Sequence, residues 1–338
     1  MSDHESDPLS TQYSVLITGS MRVVRSLEDV TSAPSVLTIG TFDGVHLGHQ
    51  RLIGEVVEQA RERGVRAVVL TFDPHPRAVL APESAPPRIT TVDDEAALMA
   101  TLGVDALIIY PFTRATANTS AHDFMAMVVR AVHPVEVWVG DDFAFGRGRG
   151  GNLDVLRALG DEFGYTLNVL PRIHLDDRPD GEMIGSTNIR EHLLAGEVAA
   201  AARLLGRPYA LRGPVVRGAG RGRQIGFPTA NVHIAQGAPT PGIVVPKDGI
   251  YATWVTIEDD PTRYPAMTYI GPRPQFDNGP RSVEPNLIDW DGDLYDKTIT
   301  VHFVHWLRGD AKFASVDDLI AQMRQDQVDT MDALRTED

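Results

Sequence analysis

The spacing of apolar residues changes near Arg207, and the patterns on the two sides favour different kinds of sheet. Before this point, short apolar runs alternate with segments of helical period, as in the run at 36–39 and the segment at 49–63. Strand, helix and strand at this spacing predict βαβ units and a parallel sheet with helices on both faces. We predict further buried strands at 67–71, 106–110, 135–139 and 167–170, and helices at 93–102, 121–132 and 154–163.

After Arg207 the apolar residues alternate with polar ones, and Gly and Pro are frequent over residues 208–310. A period of two predicts antiparallel strands, which we place at 209–216, 250–257, 266–270 and 298–305. Strands of this kind build a small β-barrel. An amphipathic segment at 316–334 predicts a terminal helix. The predicted fold class is therefore an α/β domain with a Rossmann-like parallel sheet, followed by a small antiparallel β-barrel with a terminal helix.

The length also favours two domains, since 338 residues are more than one ordinary hydrophobic core organises. We predict an N-terminal domain at 21–206 and a C-terminal domain at 207–338. The first residues, MSDHESDPLS, are polar and acidic, and Met21 opens a segment that can itself serve as a native start. Residues 1–20 are therefore predicted to be a disordered or dispensable extension.

Composition excludes several classes of protein. The chain has no cysteine, so a disulfide scaffold, a zinc ribbon, an iron–sulfur centre and thiol catalysis are excluded. Its apolar runs are strand-sized and its first residues lack a signal-peptide pattern, so we expect a cytoplasmic protein. The formal net charge of −15 disfavours nucleic acid and membrane partners. Small molecules are the expected ligands, and the sequence leaves open whether the chain forms a homo-oligomer.

The segment GTFDGVHLGH at 40–49 is the sharpest local signal in the first half. It runs from the end of a predicted strand into a predicted helix, where backbone N–H groups favour an anion. It matches neither a G-x-G-x-x-G fingerprint nor a P-loop. His46 and His49 stand three residues apart and can donate hydrogen bonds to a phosphate. The same spacing also fits surface histidines or a metal pair, although no H-E-x-x-H motif supports zinc.

The second half contains a basic, glycine-rich stretch at 207–226 with five arginines and no acidic residue. Arginine clusters are usually solvated faces, but glycines among them allow backbone N–H groups to approach a phosphate. Soon after it, Thr229 and Asn231 project to one face if the chain is extended, and their oxygens suit Mg²⁺. By residue chemistry alone, they can equally end a turn after Pro228.

Four segments in order connect this chain with a known family. GTFDGVHLGH resembles the H-x-G-H signature of adenylyl- and cytidylyltransferases, in the form found in bacterial bifunctional riboflavin kinase/FAD synthetases. The segments TFDPHP at 71–76, GDDFAFG at 140–146 and IGSTNIR at 184–190 resemble further parts of the same family. The resemblance covers residues 22–334, which is nearly the whole chain.

The resemblance implies that the N-terminal domain is a nucleotidyltransferase that adenylylates FMN to FAD and releases pyrophosphate. His46 and His49 are the implied catalytic residues, which stabilise the charge on the α-phosphate of ATP. The implied ATP and phosphate contacts are Gly40, Phe42, Asp43, Gly48, Asp142, Ser186, Thr187 and Arg190, and the implied flavin contacts are Phe72, Asp73 and His75. Gly185 stands where the family usually has serine, so one hydroxyl is lost. Ser186 and Thr187 can also simply cap the following helix.

The segment GFPTAN at 226–231 resembles the riboflavin kinase signature, so the resemblance implies a kinase in the C-terminal barrel that makes FMN from riboflavin and ATP. Glu284 is the implied catalytic base, Thr229 and Asn231 the implied ligands of Mg²⁺ carried by ATP, and Arg308 an implied flavin contact near Phe313. The implied ATP contacts in this domain are Gly213, Gly218, Arg221, Gly226 and Pro228. Two departures from the family are Gln275, which replaces threonine, and Pro285, which favours an edge strand or a bulge.

The sequence therefore predicts a bifunctional enzyme with ATP, Mg²⁺, riboflavin, FMN and FAD as its ligands. One alternative is an FMN adenylyltransferase whose kinase domain is inactive. Another is a non-catalytic regulator that binds a flavin or a nucleotide. The sequence leaves open whether FMN passes directly between the sites and whether the flavin is oxidised or reduced.

Overall fold

The computed structural model describes residues 17–18, 21–217, 225–234, 242–258, 260–272 and 281–336. The chain divides into two compact units. The first consists of Met1–Ala85 with Val92–Arg172, and the second of Pro86–Thr91 with Ile173–Asp338. The division at Arg172 lies before the boundary that we placed at residue 206, and that boundary stays a prediction. Most of the predicted extension at 1–20 lies outside the described residues, but Ile17–Thr18 pair with the next strand.

The first unit is built on one sheet of seven strands, and the predicted parallel sheet is confirmed. The strands are β1 (Ile17–Thr18), β2 (Met21–Val24), β3 (Ser35–Ile39), β4 (Arg66–Asp73), β5 (Ala106–Pro111), β6 (Pro134–Gly140) and β7 (Thr166–Leu170). Their order is β1-β2-β5-β4-β3-β6-β7, and all neighbours are parallel except β1 and β2. The helices are α1 (Leu47–Arg63), α2 (Pro76–Leu80), α3 (Val92–Thr101), α4 (Arg114–Ala117), α5 (Ala121–Val132) and α6 (Leu153–Phe163).

Both faces of this sheet are covered, because side chains alternate along each strand and each face has its own apolar cluster. On one face, residues such as Leu37 and Val68 pack with Val128 of α5. On the other face, Val69 packs with Ile53 of α1. The central strand β3 is buried along its whole length. The carboxyl ends of β4, β3 and β6 therefore lie side by side at one edge, where such sheets bind ligands.

The second unit contains a closed barrel, as predicted. Two helices precede it, α7 (Ser186–Ala195) and α8 (Val198–Leu205). The strands are β8 (Tyr209–Val216), β9 (Asn231–Val232), β10 (Gly249–Ile257), β11 (Asp260–Pro272), β12 (Arg281–Leu287) and β13 (Thr298–Arg308), in the order β10-β11-β12-β9-β8-β13. The terminal helix α9 (Val316–Arg335) is also present. The list of predicted strands lacked β12, because Pro285 in its middle is unusual in a strand.

Helices α7 and α8 belong to the core of this second unit. Leu193 of α7 and Leu204 of α8 pack in one cluster with Tyr209, Tyr251 and Phe303 of the barrel. The apolar stripe of a helix does not tell which sheet it covers, so the sequence grouped these helices with the preceding strands. Packing, not sequence order, assigns them to the barrel.

Helix α9 packs on the outside of the barrel, where Leu334 contacts Ala252 and Val304. Alternation along β12 points Val283 into the barrel and the neighbouring Glu284 outward. In the part of the chain that the structure describes, no helix combines the length and the apolar composition needed to cross a membrane.

Candidate active sites

The loop between β3 and α1 forms the first candidate site. Gly40 ends the strand and donates its backbone N–H to the Leu70 carbonyl at 3.0 Å. The chain then turns through Gly44 at φ +86° and Val45 at φ +40°, both in the left-handed region. Phe42 and Asp43 are buried within this turn. Helix α1 begins directly afterwards, so its N-terminus and the free end of β3 lie together.

His46 caps helix α1. Its Nδ1 accepts a hydrogen bond from the backbone N–H of His49 at 3.3 Å. An accepting Nδ1 carries no proton, so the proton of a neutral His46 ring lies on Nε2. The cap therefore sets the tautomer of His46 and leaves Nε2–H as the donor of this ring.

The two imidazoles form a stacked pair. Their ring centroids are 3.6 Å apart with 19° between the planes, and Phe42 contacts His49 edge-on at 5.2 Å. Burial, and next the charge of His46, hold the pKa of His49 well below its usual value, so His49 is neutral at pH 7. Nδ1 of His49 is buried and has no hydrogen-bond partner among the described residues. Gly48 lies between the two histidines in sequence, in the first turn of α1.

The predicted flavin residues lie at the end of β4, the neighbour of β3. Phe72 joins a cluster of aromatic rings, with Tyr110, Phe112 and Phe124 at 6.5, 5.7 and 6.2 Å. Asp73 ends the strand and lies 3.8 Å from Arg25. His75 caps helix α2, and its Nδ1 accepts the Arg77 N–H at 3.1 Å.

Asp142 follows β6 on the other side of β3. Its carboxylate is exposed and lies 3.4 Å from the guanidinium of Arg172, which also pairs with Asp141 at 3.1 Å. The structure therefore places His46, Phe72 and Asp142 at or beyond the carboxyl ends of three adjacent parallel strands. The sequence analysis missed Arg172, which lies 30 residues after Asp142 in the chain and belongs to no motif.

The predicted triphosphate residues Ser186, Thr187 and Arg190 belong to the second unit and lie in the first turns of α7. The cap of α7 is Gly185, which makes no side-chain cap bond, so the expectation that Ser186 or Thr187 caps the helix is wrong. Arg190 donates from Nε to the Pro87 carbonyl at 2.7 Å and from Nη1 to the Ser186 carbonyl at 3.2 Å. These bonds set the direction of its guanidinium.

The second candidate site lies where β9 meets β12. Gly226 adopts φ +87°, Phe227 is buried, and the chain then passes through Thr229 to Asn231. Val232 pairs with Val283, and the Ala230 N–H donates to the Pro285 carbonyl at 2.9 Å. This antiparallel register places Asn231 opposite Glu284, so both side chains lie on the outer face of the barrel.

Pro285 lies in a strand whose register with β11 has no bulge, so the bulge alternative is wrong, whereas the pairing of β12 with β9 does not extend to Pro285. It pairs with Thr268 in a regular register. The backbone nitrogen and the carbonyl of Pro285 both point toward Ala230. Ala230 precedes β9, which begins at Asn231. The missing N–H therefore removes no bond within a named strand pair.

Tyr269 lies opposite Glu284 on the other neighbouring strand, β11. Burial, followed by the charges of Asp310, Asp248 and Glu284, raises the pKa of Tyr269 to about 12. A Cβ at Gly271 would lie 2.0 Å from the Tyr269 Oη, so the ring occupies space that only glycine leaves. Asn231, Glu284 and Tyr269 thus form one row across three strands. The sequence analysis missed Tyr269, whose only signal is its position within the alternating strand.

Arg308 ends β13 and is held by α9. It donates to the buried carboxylate of Asp326 from Nε at 2.8 Å and from Nη2 at 2.7 Å. The hydrogen bond to Asp326 raises the pKa of Arg308 against the effect of burial. The guanidinium lies 5.9 Å from the centre of the Phe313 ring, so the predicted neighbourhood of Arg308 and Phe313 is present.

The remaining predicted kinase residues divide into two groups. Gly213 is buried within β8, where a Cβ would lie 2.2 Å from the His233 carbonyl oxygen. Close packing of the backbone therefore explains glycine at this position. Pro228 is exposed, and its carbonyl accepts from Asn286 at 2.7 Å. Gly218, Arg221 and Gln275 lie outside the described residues. Among the described residues, no group of three His, Asp or Glu side chains is arranged to hold a metal ion.

Comparisons with known proteins match both halves of the chain. The family model described as FAD synthetase matches residues 29–188, and that described as riboflavin kinase matches 205–334. The chain is 35% identical to the bifunctional riboflavin kinase/FMN adenylyltransferase of Escherichia coli (strain K12), over 91% of this chain and 96% of that protein. It is 36% identical to the protein of that name from Pseudomonas fluorescens, over 90% of this chain and 96% of the relative.

A solved structure extends the likeness to the fold. A crystal structure described as a macrolide-efflux protein from Streptococcus pneumoniae has a TM-score of 0.81 and 31% identity, and covers 92% of this chain and 99% of its own. The range matched by the FAD synthetase model contains the paired imidazoles, and the range matched by the riboflavin kinase model contains the Asn231–Glu284 row. The chain therefore belongs to the bifunctional riboflavin kinase/FMN adenylyltransferase family.

Proposed function

We propose that this chain phosphorylates riboflavin to FMN at the barrel and adenylylates FMN to FAD at the parallel sheet. Both activities are those of the family to which the chain belongs. Each reaction consumes one ATP, and the first product is the substrate of the second. The main support for the proposal is the register of β9 and β12, which brings Glu284 opposite Asn231.

At the parallel sheet, an oxygen of the FMN phosphate attacks the α-phosphorus of ATP, and pyrophosphate leaves. The protein does not need to form a covalent intermediate, so its role is positioning and charge stabilisation. Nε2–H of His46 is a preset donor for the α-phosphate, and the N-terminus of α1 adds a positive field. Neutral His49 donates without adding a positive charge to the stack.

At the barrel, the carboxylate of Glu284 accepts the proton of the riboflavin 5′-hydroxyl as its oxygen attacks the γ-phosphorus of ATP. ADP is then the leaving group. Asn231 lies on the same face one strand away, so it can hold the phosphates beside the base. Arg308 would contact the flavin from the end of β13, while Asp326 holds its guanidinium in place.

Thr229 and Asn231 fit a magnesium ion. Both offer hard oxygen ligands, and two protein ligands are typical where nucleotide phosphates and water supply the rest. The ion would neutralise phosphate charge. At the parallel sheet, Asp142 would bind the second ATP, and Phe72, Asp73 and His75 would bind the flavin. The net charge of −15 disfavours nucleic acid as a ligand.

The test incubates the purified chain with riboflavin, ATP and Mg²⁺ and separates the flavins by chromatography. The wild-type chain is expected to produce FMN and then FAD. The substitution Glu284→Gln should lower FMN formation by at least ~100-fold, the lower scale for a lost catalytic base, while FAD formation from supplied FMN persists. Glu258→Gln, at an exposed glutamate of the same barrel, is the matched control.

Three outcomes distinguish the alternatives. A wild-type chain that makes FAD only from supplied FMN has an inactive kinase domain. Flavin binding without any turnover of ATP indicates a non-catalytic regulator. Unchanged FMN formation in Glu284→Gln contradicts the assignment of Glu284 as the base.

A further inference from the structure

Two adjacent residues of helix α9, Asp326 and Gln327, are connected by hydrogen bonds to different parts of the proposed kinase site. The side chain of Asp326 is 1% exposed and accepts both Nε and Nη2 of Arg308. Gln322, one turn earlier, donates a third hydrogen bond to the same carboxylate at 2.9 Å. Asp326 is thus a buried charge that is paired and hydrogen-bonded, and the position of Arg308 depends on it.

Gln327, the next residue, begins a second chain of hydrogen bonds. Its Nε2 donates to the Oδ1 of Asn286 at 3.1 Å, and the Nδ2 of Asn286 donates to the Pro228 carbonyl at 2.7 Å. A carbonyl can only accept, so the amide of Asn286 has one allowed orientation, with its oxygen toward Gln327. Asn286 is 2% exposed, so water cannot easily replace these bonds.

The second chain ends one residue before Thr229. The backbone from Pro228 to Asn231 is held at Pro228 by Asn286 and at Ala230 by the Pro285 carbonyl. Beyond the register of β9 and β12, these two bonds set where the oxygens of Thr229 and Asn231 lie. None of Gln327, Asn286 and Asp326 needs to touch a substrate to have this effect.

We propose that α9 positions both substrate-binding parts of the kinase site, through Gln327 and Asn286 for MgATP and through Asp326 for riboflavin. This inference rests on the proposed function of the barrel. Asp326, Gln327 and Asn286 are positioning residues in it. Because the two hydrogen-bond chains start from neighbouring residues but run to different sites, each should affect the KM of one substrate.

The first experiment measures riboflavin phosphorylation in Gln327→Ala and Asn286→Asp. The aspartate has the shape of asparagine and can still accept from Gln327, but it cannot donate to the Pro228 carbonyl and it adds a carboxylate at a buried position. Each variant should raise the KM for MgATP by about tenfold, the factor for one lost hydrogen bond near 1.4 kcal/mol, with the KM for riboflavin unchanged. Gln325→Ala is the matched control, since Gln325 lies on the exposed side of α9 and bonds only Asp329 among the described residues.

The double variant Gln327→Ala/Asn286→Asp tests whether the two residues act as one chain. Its KM for MgATP should equal that of Asn286→Asp alone, because the bond to Pro228 is already lost. A product of the two single effects would show that they act independently and would overturn the proposed chain.

The second experiment measures the KM values for riboflavin and MgATP in Asp326→Asn and Gln322→Ala, which change the hydrogen bonds around Arg308. Both should raise the KM for riboflavin and leave the KM for MgATP unchanged, with the larger effect in Asp326→Asn. If Asp326→Asn does not fold, as circular dichroism would show, Gln322→Ala still gives the result, because it keeps the ion pair and removes one bond to the carboxylate.

The wild-type chain and Glu284→Gln are measured first, so that a failure of the proposed kinase function can be distinguished from a failure of the proposed role of α9. A wild-type chain that makes no FMN removes the proposed kinase function. If it makes FMN but every α9 variant raises both KM values together, or neither, α9 only packs on the barrel and the inference is wrong. The inference is supported if Gln327→Ala and Asn286→Asp raise only the KM for MgATP, while Asp326→Asn and Gln322→Ala raise only the KM for riboflavin.

Discussion

At the residue scale, the most informative side chain is His46, because one hydrogen bond gives it two roles. Accepting the His49 N–H at Nδ1 starts helix α1 and also places the ring proton on Nε2. A serine or asparagine would cap the helix as well but would not supply this directed donor. In the proposed mechanism, one imidazole therefore serves both as the helix cap and as the donor to phosphate.

Replacing either imidazole should affect one reaction only. We expect His46→Ala and His49→Ala each to lower FAD formation from FMN by at least ~100-fold, the scale for one lost donor to a developing oxyanion. FMN formation from riboflavin should persist, because that site lies in the other unit. Chromatography of the flavins checks both rates, with His122→Ala, at an exposed histidine of the first unit, as the control. An equal loss of both activities would contradict separate sites.

The stability of the first unit should depend on the protonation of His49. Its pKa is lowered in the folded chain, so below the ordinary value of about 6.5 the unfolded chain binds more protons than the folded one. Stability is therefore complete above this pH and decreases as the pH falls. Urea midpoints measured between about pH 7.5 and about pH 5 should decrease less steeply in His49→Asn than in the wild-type chain. Parallel curves would show that His49 does not carry this dependence.

At the scale of the elements, β9 has only two residues but sets the geometry of the kinase site. Its register with β12 aligns Asn231 with Glu284, and its register with β8 pairs Val232 with Val215. Gly213 allows this approach, because the backbone at His233 passes through the space that a side chain would fill. The glycine is needed for packing between β8 and the end of β9.

A methyl group at this position should therefore destabilise the barrel. Gly213→Ala places a Cβ 2.2 Å from the carbonyl oxygen of His233, which requires the backbone to shift. We expect a loss of roughly 1–3 kcal/mol in the free energy of unfolding, typical of overpacking, with FMN formation affected more than FAD formation. Urea denaturation checks the loss. Gly54→Ala, with open space around an exposed site of α1, should not destabilise the chain and serves as the control.

At the scale of the whole molecule, the division into units differs from the division of the sequence pattern. Helices α7 and α8 share a core with the barrel, although the family model for FAD synthetase extends to residue 188. Ser186, Thr187 and Arg190 thus belong by packing to the kinase unit and by resemblance to the adenylyltransferase.

This packing can be tested with two fragments of the chain. A fragment of residues 173–338 keeps α7 and α8, whereas one of residues 207–338 loses side chains such as Val198, Leu204 and Leu205 from the core. A buried Val or Leu contributes roughly 1.5–3 kcal/mol, so the shorter fragment should melt at a clearly lower temperature. Thermal unfolding followed by circular dichroism measures the difference. Equal melting temperatures would instead support a domain boundary at residue 206.

Much of the fold could be predicted from local pattern. The parallel sheet, the barrel and α9 follow from hydrophobic period, since that period depends only on which side of an element is buried. The paired histidines and the Thr-x-Asn segment were visible for a similar reason, because neighbours in sequence stay neighbours in a helix or a strand. Pro285 and Ser186 were misjudged, because their roles depend on where β9 begins and on which residue starts α7.

The sequence by itself determined the two kinds of sheet, their order along the chain and the residue types available for phosphate chemistry. Only the tertiary structure decided that Asn231 lies opposite Glu284, that Tyr269 completes their row and that Asp326 holds Arg308. These partners are 15 to 53 residues apart, and such pairings depend on strand register and helix packing. Hydrophobic period specifies which face of an element is buried, but the partner against which it is buried depends on the closure of the whole barrel.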